Sequence, residues 1–229
     1  MAIDPRHLTE VPLFKGLCPE ALELVCQRAR ARTFKSEEAI VHQDDPGETL
    51  YVILRGIVKV STTEPDGAEV FLTVLAAGDN FGELSLIDSK FRSADVVTQD
   101  ETSLISIDRA TFEELMSNTT FARNLLRILA NRNRRANERI RAHCTLDVYG
   151  LVARQILEFS QLYGKPQQDG SLFIPIRLTQ SDIGDLVGAS RERVNQVMKF
   201  FREKKSLSID ASYRITVHKP NDLQAACAR

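Results

Sequence analysis

The sequence predicts an α+β fold in three parts: an N-terminal antiparallel β-roll (1–119), one long helix (120–145), and a C-terminal winged helix-turn-helix (146–229). Three observations predict it. Short apolar or alternating runs separated by turn signals fill the first half of the chain, which is typical of antiparallel rolls and barrels. Proline and glycine are absent over 108–145, a stretch rich in Leu, Ala and Arg that indicates helix. Two short amphipathic segments around a glycine follow near the C-terminus.

Regularly spaced strands and the turns between them predict an antiparallel barrel, sandwich or roll in the first part of the chain. A short helix at Pro19–Ala31 precedes it. The expected strands are Ala39–His42, Leu50–Leu54, Ile57–Ser61, Val70–Leu75, Ala94–Thr98 and Thr102–Ile107. Glycine and Asp-Gly pairs between them, as at Gly47 and Gly67, supply the positive-φ positions that tight turns need.

The long helix carries a stripe at alternating spacings of three and four residues. Its members are Leu126, Leu129, Asn133, Ala136, Ile140 and His143. Such a heptad-like stripe indicates a helix that packs along a partner helix, and Asn133 would help to set register there. Packing of the stripe into the protein's own core is the alternative. We favour a dimer seam, because the other faces are almost entirely Arg and Asn and offer no second surface for burial.

The C-terminal region begins with a predicted helix at Val148–Tyr163 and a strand-like run at Leu172–Leu178. The helix-turn-helix follows over Leu178–Phe201. Thr179 is a natural N-cap with Asp182 as its capping-box partner. Gly188 lies where the first helix must end, and Ser190 caps the second. Two alternating runs, Leu207–Ile209 and Tyr213–Val217, predict the wing.

The outward face of the second helix predicts contact with DNA. Arg191 can donate in a fork to guanine, and Glu192 can accept from cytosine. Asn195, Gln196 and Lys199 share this face, whereas Thr179, Ser181 and Arg193 are better placed for phosphates. The alternative is a helical hairpin with a solvated charged face. Ser-Arg-Glu-Arg directly after a glycine turn favours the DNA interpretation.

Charge is distributed unevenly along the chain. The formal net charge is −1, yet residues 1–120 hold 11 Lys/Arg against 21 Asp/Glu. Residues 121–147 hold 7 against 2, and residues 148–229 hold 12 against 8. A basic C-terminal part carried by an acidic domain is typical of a protein that binds a polyanion.

A candidate ligand pocket lies between two β runs. Gly82 allows close approach of the backbone, and a helical turn beginning near Glu83 would aim N–H groups at an anion. Arg92 offers a forked charge for a phosphate, and Ser93 one more hydrogen bond. Glu83 suits a sugar hydroxyl, so the set favours a ribose–phosphate. A surface ion pair between Glu83 and Arg92 is the alternative, and spacing alone does not decide between them.

Several classes of protein are disfavoured. No signal peptide is visible and no apolar run could span a bilayer, so we expect a cytoplasmic protein without a membrane partner. The four scattered cysteines predict reduced thiols rather than a metal or iron–sulfur site. No nucleophile–base arrangement or phosphate-loop motif supports an enzyme. A regulatory subunit that only binds nucleotide would have no use for the helix-turn-helix.

Over nearly its whole length the chain resembles the cyclic-AMP receptor and fumarate–nitrate regulator family of transcription factors. The resemblance rests on four motifs: Phe81-Gly82-Glu83-Leu84-Ser85, Arg92-Ser93-Ala94, Leu146-Asp147-Val148 and Leu186-Val187-Gly188-Ala189-Ser190-Arg191-Glu192. It implies a cyclic-nucleotide-binding β-roll, a dimerising helix, a two-fold DNA operator and cyclic AMP as allosteric effector. RNA polymerase is a further candidate partner. The cysteine cluster of the fumarate–nitrate branch is absent.

The resemblance also implies roles for individual residues. Glu83 would accept from the ribose 2′-hydroxyl, and Arg92 and Ser93 would hold the cyclic phosphate. Gly82, Leu84 and Ser85 would contribute backbone around the ligand. Hydroxyl or amide side chains on the long helix contact adenine in cyclic-AMP-responsive members, and the matching positions here are Ala136 and Asn137. Asn137 can make such a contact, but Ala136 has no side-chain hydrogen-bonding group, which leaves open a dimer that is constitutive or answers another effector.

Overall fold

The structure is a computed structural model that describes residues 8–228. The chain divides into two compact units, Met1–Arg135 and Ala136–Arg229, called here the N-terminal and C-terminal units. The division falls inside the long helix Thr119–Thr145.

The N-terminal unit is an antiparallel β-roll, as the sequence predicts. Its strands are β1 Arg30–Phe34, β2 Ala39–Val41, β3 Thr49–Arg55, β4 Ile57–Thr63, β5 Glu69–Ala76, β6 Asn80–Phe81, β7 Asp95–Thr98 and β8 Thr102–Asp108. They form two four-stranded sheets in the orders β1-β8-β3-β6 and β2-β7-β4-β5. Every strand predicted in this unit is present within two residues of its expected ends.

Helices and two apolar clusters complete this unit. The helices are a 3-10 turn at Pro12–Phe14, α1 Pro19–Arg28, α2 Glu83–Asp88, α3 Arg109–Met116 and the first part of α4 Thr119–Thr145. Asp108 caps α3 by accepting from the Thr111 backbone N–H at 2.9 Å. One cluster packs Phe121 and Leu125 of α4 with Val52 of β3, and the other fills the roll around Phe81 and Leu104.

The predicted helix Pro19–Ala31 is too long. It ends at Arg28, Ala29 is extended (φ −70°, ψ 146°), and β1 begins at Arg30, a strand that sequence reasoning missed. Arg30 pairs in register with Ser106 of β8. Pairing with β8 satisfies backbone groups that an isolated run of Arg and Ala would satisfy in a helix.

The long helix begins and ends where the sequence predicts, but one expectation about its faces is wrong. Phe121 and Leu125 are buried and Ile128 is partly buried in the core of the N-terminal unit, so the stripe is not the helix's one apolar face. The side chains of Leu126 and Ile140, in the stripe, are 65% and 63% exposed. Apolar residues on the first turns of the helix therefore face two surfaces.

The C-terminal unit contains the predicted winged helix-turn-helix. Its helices are α5 Val148–Tyr163, α6 Gln180–Val187, α7 Arg191–Glu203 and α8 Pro220–Ala226. Its strands are β9 Lys165–Pro166, β10 Leu172–Ile174, β11 Leu207–Ile209 and β12 Ile215–Val217, in the sheet order β11-β12-β10-β9. Helix α8 and strand β9 were not predicted.

The predicted strand Leu172–Leu178 is also too long. Strand β10 ends at Ile174 because Pro175 has no N–H to donate to the neighbouring strand. Ile176 and Leu178 are nevertheless buried, so the apolar pattern that suggested a strand reflects core packing.

Residues 8–228 contain neither a membrane-spanning helix nor a cluster of metal-binding side chains. Within residues 8–228, no helix is both long and apolar enough to cross a membrane. The same residues contain no group of three or more His, Cys, Asp or Glu side chains placed to hold a metal ion.

Candidate functional site

A cavity of about 170 Å³ lies in the N-terminal unit. Its lining includes every effector residue predicted in this unit: Gly82, Glu83, Leu84, Ser85, Arg92 and Ser93. Apolar side chains from β2, β4, β5 and β7 complete the wall, together with Arg132 of α4. Asn137, the remaining predicted effector residue, is exposed and belongs to the C-terminal unit.

Gly82 is required by the geometry of this cavity. It precedes α2 in the left-handed region (φ 84°), where other residues are strained. A Cβ atom there would lie 2.7 Å from the Thr49 carbonyl oxygen and would also clash with the Arg92 guanidinium. The absence of a side chain at Gly82 therefore allows Arg92 to reach the cavity.

Arg92 is a buried cation at the cavity wall, 5% exposed. It donates to the carbonyl oxygens of Gly82 at 2.9 Å and Thr49 at 2.8 Å. Among residues 8–228 it makes no salt bridge. Burial lowers the pKa of the Arg92 guanidinium, and the nearby Tyr51 and Glu83 oppose that shift. A buried guanidinium that makes no salt-bridge contact favours an incoming anion.

A backbone ladder holds Arg92 in place. Its N–H donates to the Asp45 carbonyl at 2.9 Å, and its own carbonyl accepts from the Asp44 N–H at 3.0 Å. Asp44 has positive φ (64°), which Asp tolerates better than most residues. The turn that the sequence predicts around Gly47 therefore positions Arg92.

Glu83 is a buried carboxylate on the same cavity wall, 2% exposed. Its Oε1 accepts from Arg132 Nη1 at 2.7 Å, and its Oε2 accepts from Asn80 Nδ2 at 2.9 Å. The alternative of a surface ion pair between Glu83 and Arg92 is wrong: both are buried, and Glu83 pairs with Arg132 instead. An ionised carboxylate has further lone pairs with which to accept from a ligand hydroxyl.

Sequence reasoning missed two residues of this site. Arg132 donates to both Glu83 and the Asn80 carbonyl, from a position 49 residues along the chain from Glu83. Its Arg-rich helical surroundings give no signal that this arginine differs from its neighbours. Asn80 directly precedes the Phe81–Ser85 motif, and that adjacency was the one available signal.

The helix-turn-helix is built by the predicted caps. Thr179 Oγ1 accepts from the Asp182 N–H at 3.1 Å, and Asp182 Oδ2 accepts from the Thr179 N–H at 2.8 Å. Gly188 ends α6 in the left-handed region (φ 62°), and Ser190 caps α7. Val194, Val197, Met198 and Phe201 form the buried face of α7.

The opposite face of α7 is solvent-exposed. It carries Arg191, Glu192, Arg193, Asn195, Gln196 and Lys199. Hydrogen bonds from its own backbone and from Ser190 lower the pKa of the exposed Glu192 carboxyl. Lys199 lies 3.8 Å from Glu203, one turn further along α7. This face offers donors and an acceptor of the kinds that read base edges.

Arg193 has partners inside the C-terminal unit. Its guanidinium lies 5.6 Å from the centre of the Tyr149 ring and donates to Gln196 Oε1 at 3.0 Å. Ser181 is exposed, and Thr179 is partly buried and bonded to Asp182. The residues expected at phosphates thus differ in how freely their side chains can turn towards DNA.

Comparison with known proteins identifies both domains. Residues 31–119 match the model of the cyclic nucleotide-binding domain, and residues 152–226 match the Crp-like helix-turn-helix domain. The chain is 34% identical over 216 residues to a CRP-like cAMP-activated global transcriptional regulator of Mycobacterium tuberculosis, covering 91% of this chain and 96% of that protein.

Solved structures agree in fold. The catabolite activator protein of Thermus thermophilus is 28% identical, with a TM-score of 0.53, and the match covers 95% of this chain and 98% of that one. FixK2 of Bradyrhizobium japonicum is 20% identical, with a TM-score of 0.76 over 88% of this chain and 98% of its own. These domains and relatives are those of transcription regulators, not enzymes. With a cyclic nucleotide-binding roll followed by a Crp-like helix-turn-helix, the chain belongs to the cyclic-AMP receptor and fumarate–nitrate regulator family of transcription regulators.

Proposed function

We propose that this regulator is a homodimer whose binding to a two-fold DNA operator is controlled by cyclic AMP bound in the N-terminal cavity. The observation that carries the proposal is Arg92, a guanidinium buried at the cavity wall without a salt bridge to any residue of 8–228. A bound anion supplies the salt-bridge partner that this guanidinium lacks among residues 8–228.

The ligand's ribose and phosphate fit Glu83 and Arg92, two of the charged groups that line the cavity. Arg92 and Ser93 bind the cyclic phosphate, and Glu83 accepts from the ribose 2′-hydroxyl. Gly82, Leu84 and Ser85 provide backbone contacts around the ligand. Charge decides which residue binds which part of the ligand, because a carboxylate repels a phosphate but accepts a hydrogen bond from a hydroxyl.

The choice of cyclic AMP rests on the relatives and on one amide. The Mycobacterium tuberculosis relative is named as cAMP-activated. Asn137 can hydrogen-bond adenine from the partner's long helix. Ala136 beside it cannot, and this supports a second candidate: the same DNA-binding dimer acting constitutively or with a different effector.

The dimer seam is the stripe on α4. Its members are Leu126, Leu129, Asn133, Ala136 and Ile140. Leu126 and Ile140 are large apolar side chains left about two-thirds exposed, and two heptads separate them. Leu129 also packs partly against the core of its own N-terminal unit.

The dimer places one α7 in each half of the operator. Arg191 reads a guanine and Glu192 a cytosine, while Asn195, Gln196 and Lys199 contact bases or phosphates further along the groove. Thr179, Ser181 and Arg193 contact the DNA backbone, and Ser190 caps the reading helix. The functional division remains 1–119, 120–145 and 146–229, with RNA polymerase as a candidate partner.

Arg132 provides a physical link between the ligand and the long helix. It reaches from α4 to Glu83, the group assigned to the ribose. A ligand that changes the Glu83–Arg132 contact has different affinities for two arrangements of α4. Such differential affinity is what allosteric control requires.

Calorimetric titration with cyclic AMP, cyclic GMP and linear AMP tests the proposal. We expect cyclic AMP to bind one site per chain, and Arg92→Leu to remove that binding in a folded protein. Absence of heat with cyclic AMP, together with unchanged operator affinity, contradicts it and leaves the second candidate.

A further inference from the structure

Asn80 is a buried polar residue that lies opposite an apolar residue of the neighbouring strand. It is 1% exposed and pairs in register with Val52 of β3. Val52 belongs to the apolar cluster that contains Leu125 of α4, whereas Phe81, the next residue, belongs to the cluster inside the roll. Successive residues of a strand face opposite sides. Asn80 therefore lies behind the cavity wall, on the side covered by helices.

Glu83 determines the orientation of this amide. Asn80 Nδ2 donates to Glu83 Oε2 at 2.9 Å. The flipped amide would place Asn80 Oδ1 against the carboxylate, which is an acceptor facing an acceptor. In the required orientation Oδ1 is buried and has no hydrogen-bond partner among the described residues. An unsatisfied buried acceptor destabilises a fold, so core stability does not account for an amide at this position.

The backbone of Asn80 also helps to position the Glu83 carboxylate. Its carbonyl oxygen accepts from Arg132 Nη2, while Arg132 Nη1 donates to Glu83 Oε1. The Asn80 side chain thus holds one oxygen of Glu83 directly. Its carbonyl holds the guanidinium that binds the other oxygen.

We propose that Asn80 is a positioning residue for ribose recognition. It fixes the Glu83 carboxylate in the orientation that presents it to a 2′-hydroxyl, and it thereby sets the preference for a cyclic ribonucleotide over its 2′-deoxy analogue. The inference rests on the proposed function of the cavity, because it requires a cyclic nucleotide to bind there.

The test is the ratio of two dissociation constants, for 2′-deoxy cyclic AMP and for cyclic AMP. In the wild type we expect a ratio of roughly 10 to 100, because a hydrogen bond to a charged group is lost with the deoxy ligand. Asn80→Leu is similar in size and lacks the unsatisfied acceptor, and we expect it to lower the ratio at least about threefold. In a Glu83→Gln background the same substitution should change the ratio no further, because Asn80 acts through Glu83.

Asn124→Leu is the matched control. Asn124 is also a buried asparagine of the N-terminal unit, and it donates to the carbonyl oxygens of Leu13 and Lys15, away from the cavity. We expect this control to leave the ratio at the wild-type value even where it lowers the melting temperature. Thermal unfolding verifies each variant, and Asn80→Val is a smaller alternative where leucine prevents folding.

An unchanged ratio in a folded Asn80 variant overturns the inference. It is also overturned if Asn80→Leu lowers the ratio by the same factor in the Glu83→Gln background as in the wild type. Two wild-type results overturn the proposed function itself and are recognised before any variant is made. Failure to bind either nucleotide contradicts the cavity assignment, and equal binding of both contradicts the role of Glu83.

Discussion

Glu83 and Arg92, two of the charged side chains that line the cavity, have opposite signs, are both buried, and do not pair with each other. Glu83 is held by Arg132 and Asn80, and Arg92 is held by two carbonyl oxygens. Each charge is oriented by protein groups, yet Arg92 is not neutralised by a salt bridge within residues 8–228. Residue types and spacing suggested these two side chains, and the family resemblance favoured a ligand pocket over a surface ion pair. Their separate partners could not be predicted, because Arg132 and Thr49 are distant in sequence and gain their roles only from folding.

Arg92→Leu should remove the response to cyclic nucleotide without unfolding the protein. The substitution deletes the cation assigned to the phosphate, and charge-assisted hydrogen bonds of this kind contribute about 1.5–3 kcal/mol each. Titration calorimetry and thermal unfolding measure the two effects. Arg28→Leu is the control, since Arg28 is an exposed arginine of the same unit that pairs with Glu114. Cyclic-nucleotide stimulation retained by Arg92→Leu would rule out the cavity.

Arg191→Ala should weaken DNA binding at one base position by roughly 1–3 kcal/mol and relax specificity there. Its side chain is exposed at the first position of α7, where a fork of donors can enter the major groove. Binding to a panel of single-base operator variants measures the effect. Lys199→Ala, eight residues further along the same face of α7, is the comparison variant. We expect it to weaken binding more evenly across the operator panel. Specificity unchanged in Arg191→Ala would show that α7 is not oriented as proposed.

Among the helices and strands, the sequence predicted best those features that depend only on neighbouring residues. The caps at Thr179 and Ser190 and the stop at Gly188 depend on neighbouring residues, and the structure has them as expected. Strand β1 was missed because its first three residues, Arg30–Arg32, favour helix and form a strand by pairing with β8. The second apolar face of α4 was missed because Phe121 and Leu125 are buried by helices and strands far away in sequence.

Thr179→Ala should lower the free energy of unfolding by about 1 kcal/mol, because it removes the acceptor for the Asp182 N–H. Urea unfolding followed by circular dichroism measures this change. Ser181→Ala is the control: Ser181 is exposed in the first turn of the same helix, and we expect a change within about 0.5 kcal/mol. Equal stability of Thr179→Ala and wild type would contradict the role of the cap.

The double variant Leu126→Glu, Ile140→Glu should dissociate the dimer. Placing carboxylates in an apolar seam costs several kcal/mol, so we expect the dimer dissociation constant to rise at least about 100-fold. Sedimentation equilibrium measures it. Arg127→Glu with Arg141→Glu is the matched control, one position along at each site and exposed. A dimer that survives the first double variant and is lost in the second would place the interface elsewhere.

At the scale of the whole molecule, the proposed function joins a ligand cavity in one compact unit to a DNA-binding helix in the other. Helix α4 belongs to both units, and Arg132 on it contacts the carboxylate assigned to the ribose. The charge asymmetry of the sequence agrees with this organisation, since the acidic residues concentrate in the roll and the basic ones from 121 onward. Fold class and family were predictable from sequence, because they depend on repeated local patterns. Control of DNA binding by a ligand depends on an equilibrium between two arrangements of the protein. A local sequence pattern does not predict that equilibrium.

The most direct test measures the affinity of the wild type for an operator selected from random DNA, with and without saturating cyclic AMP. We expect the selected operator to be an inverted repeat. We also expect the protein to bind it at least about 5-fold more tightly with cyclic AMP, which is the lower end of common allosteric couplings. Arg92→Leu should bind the same operator equally under both conditions. Equal affinity of the wild type with and without cyclic AMP would contradict control by this nucleotide.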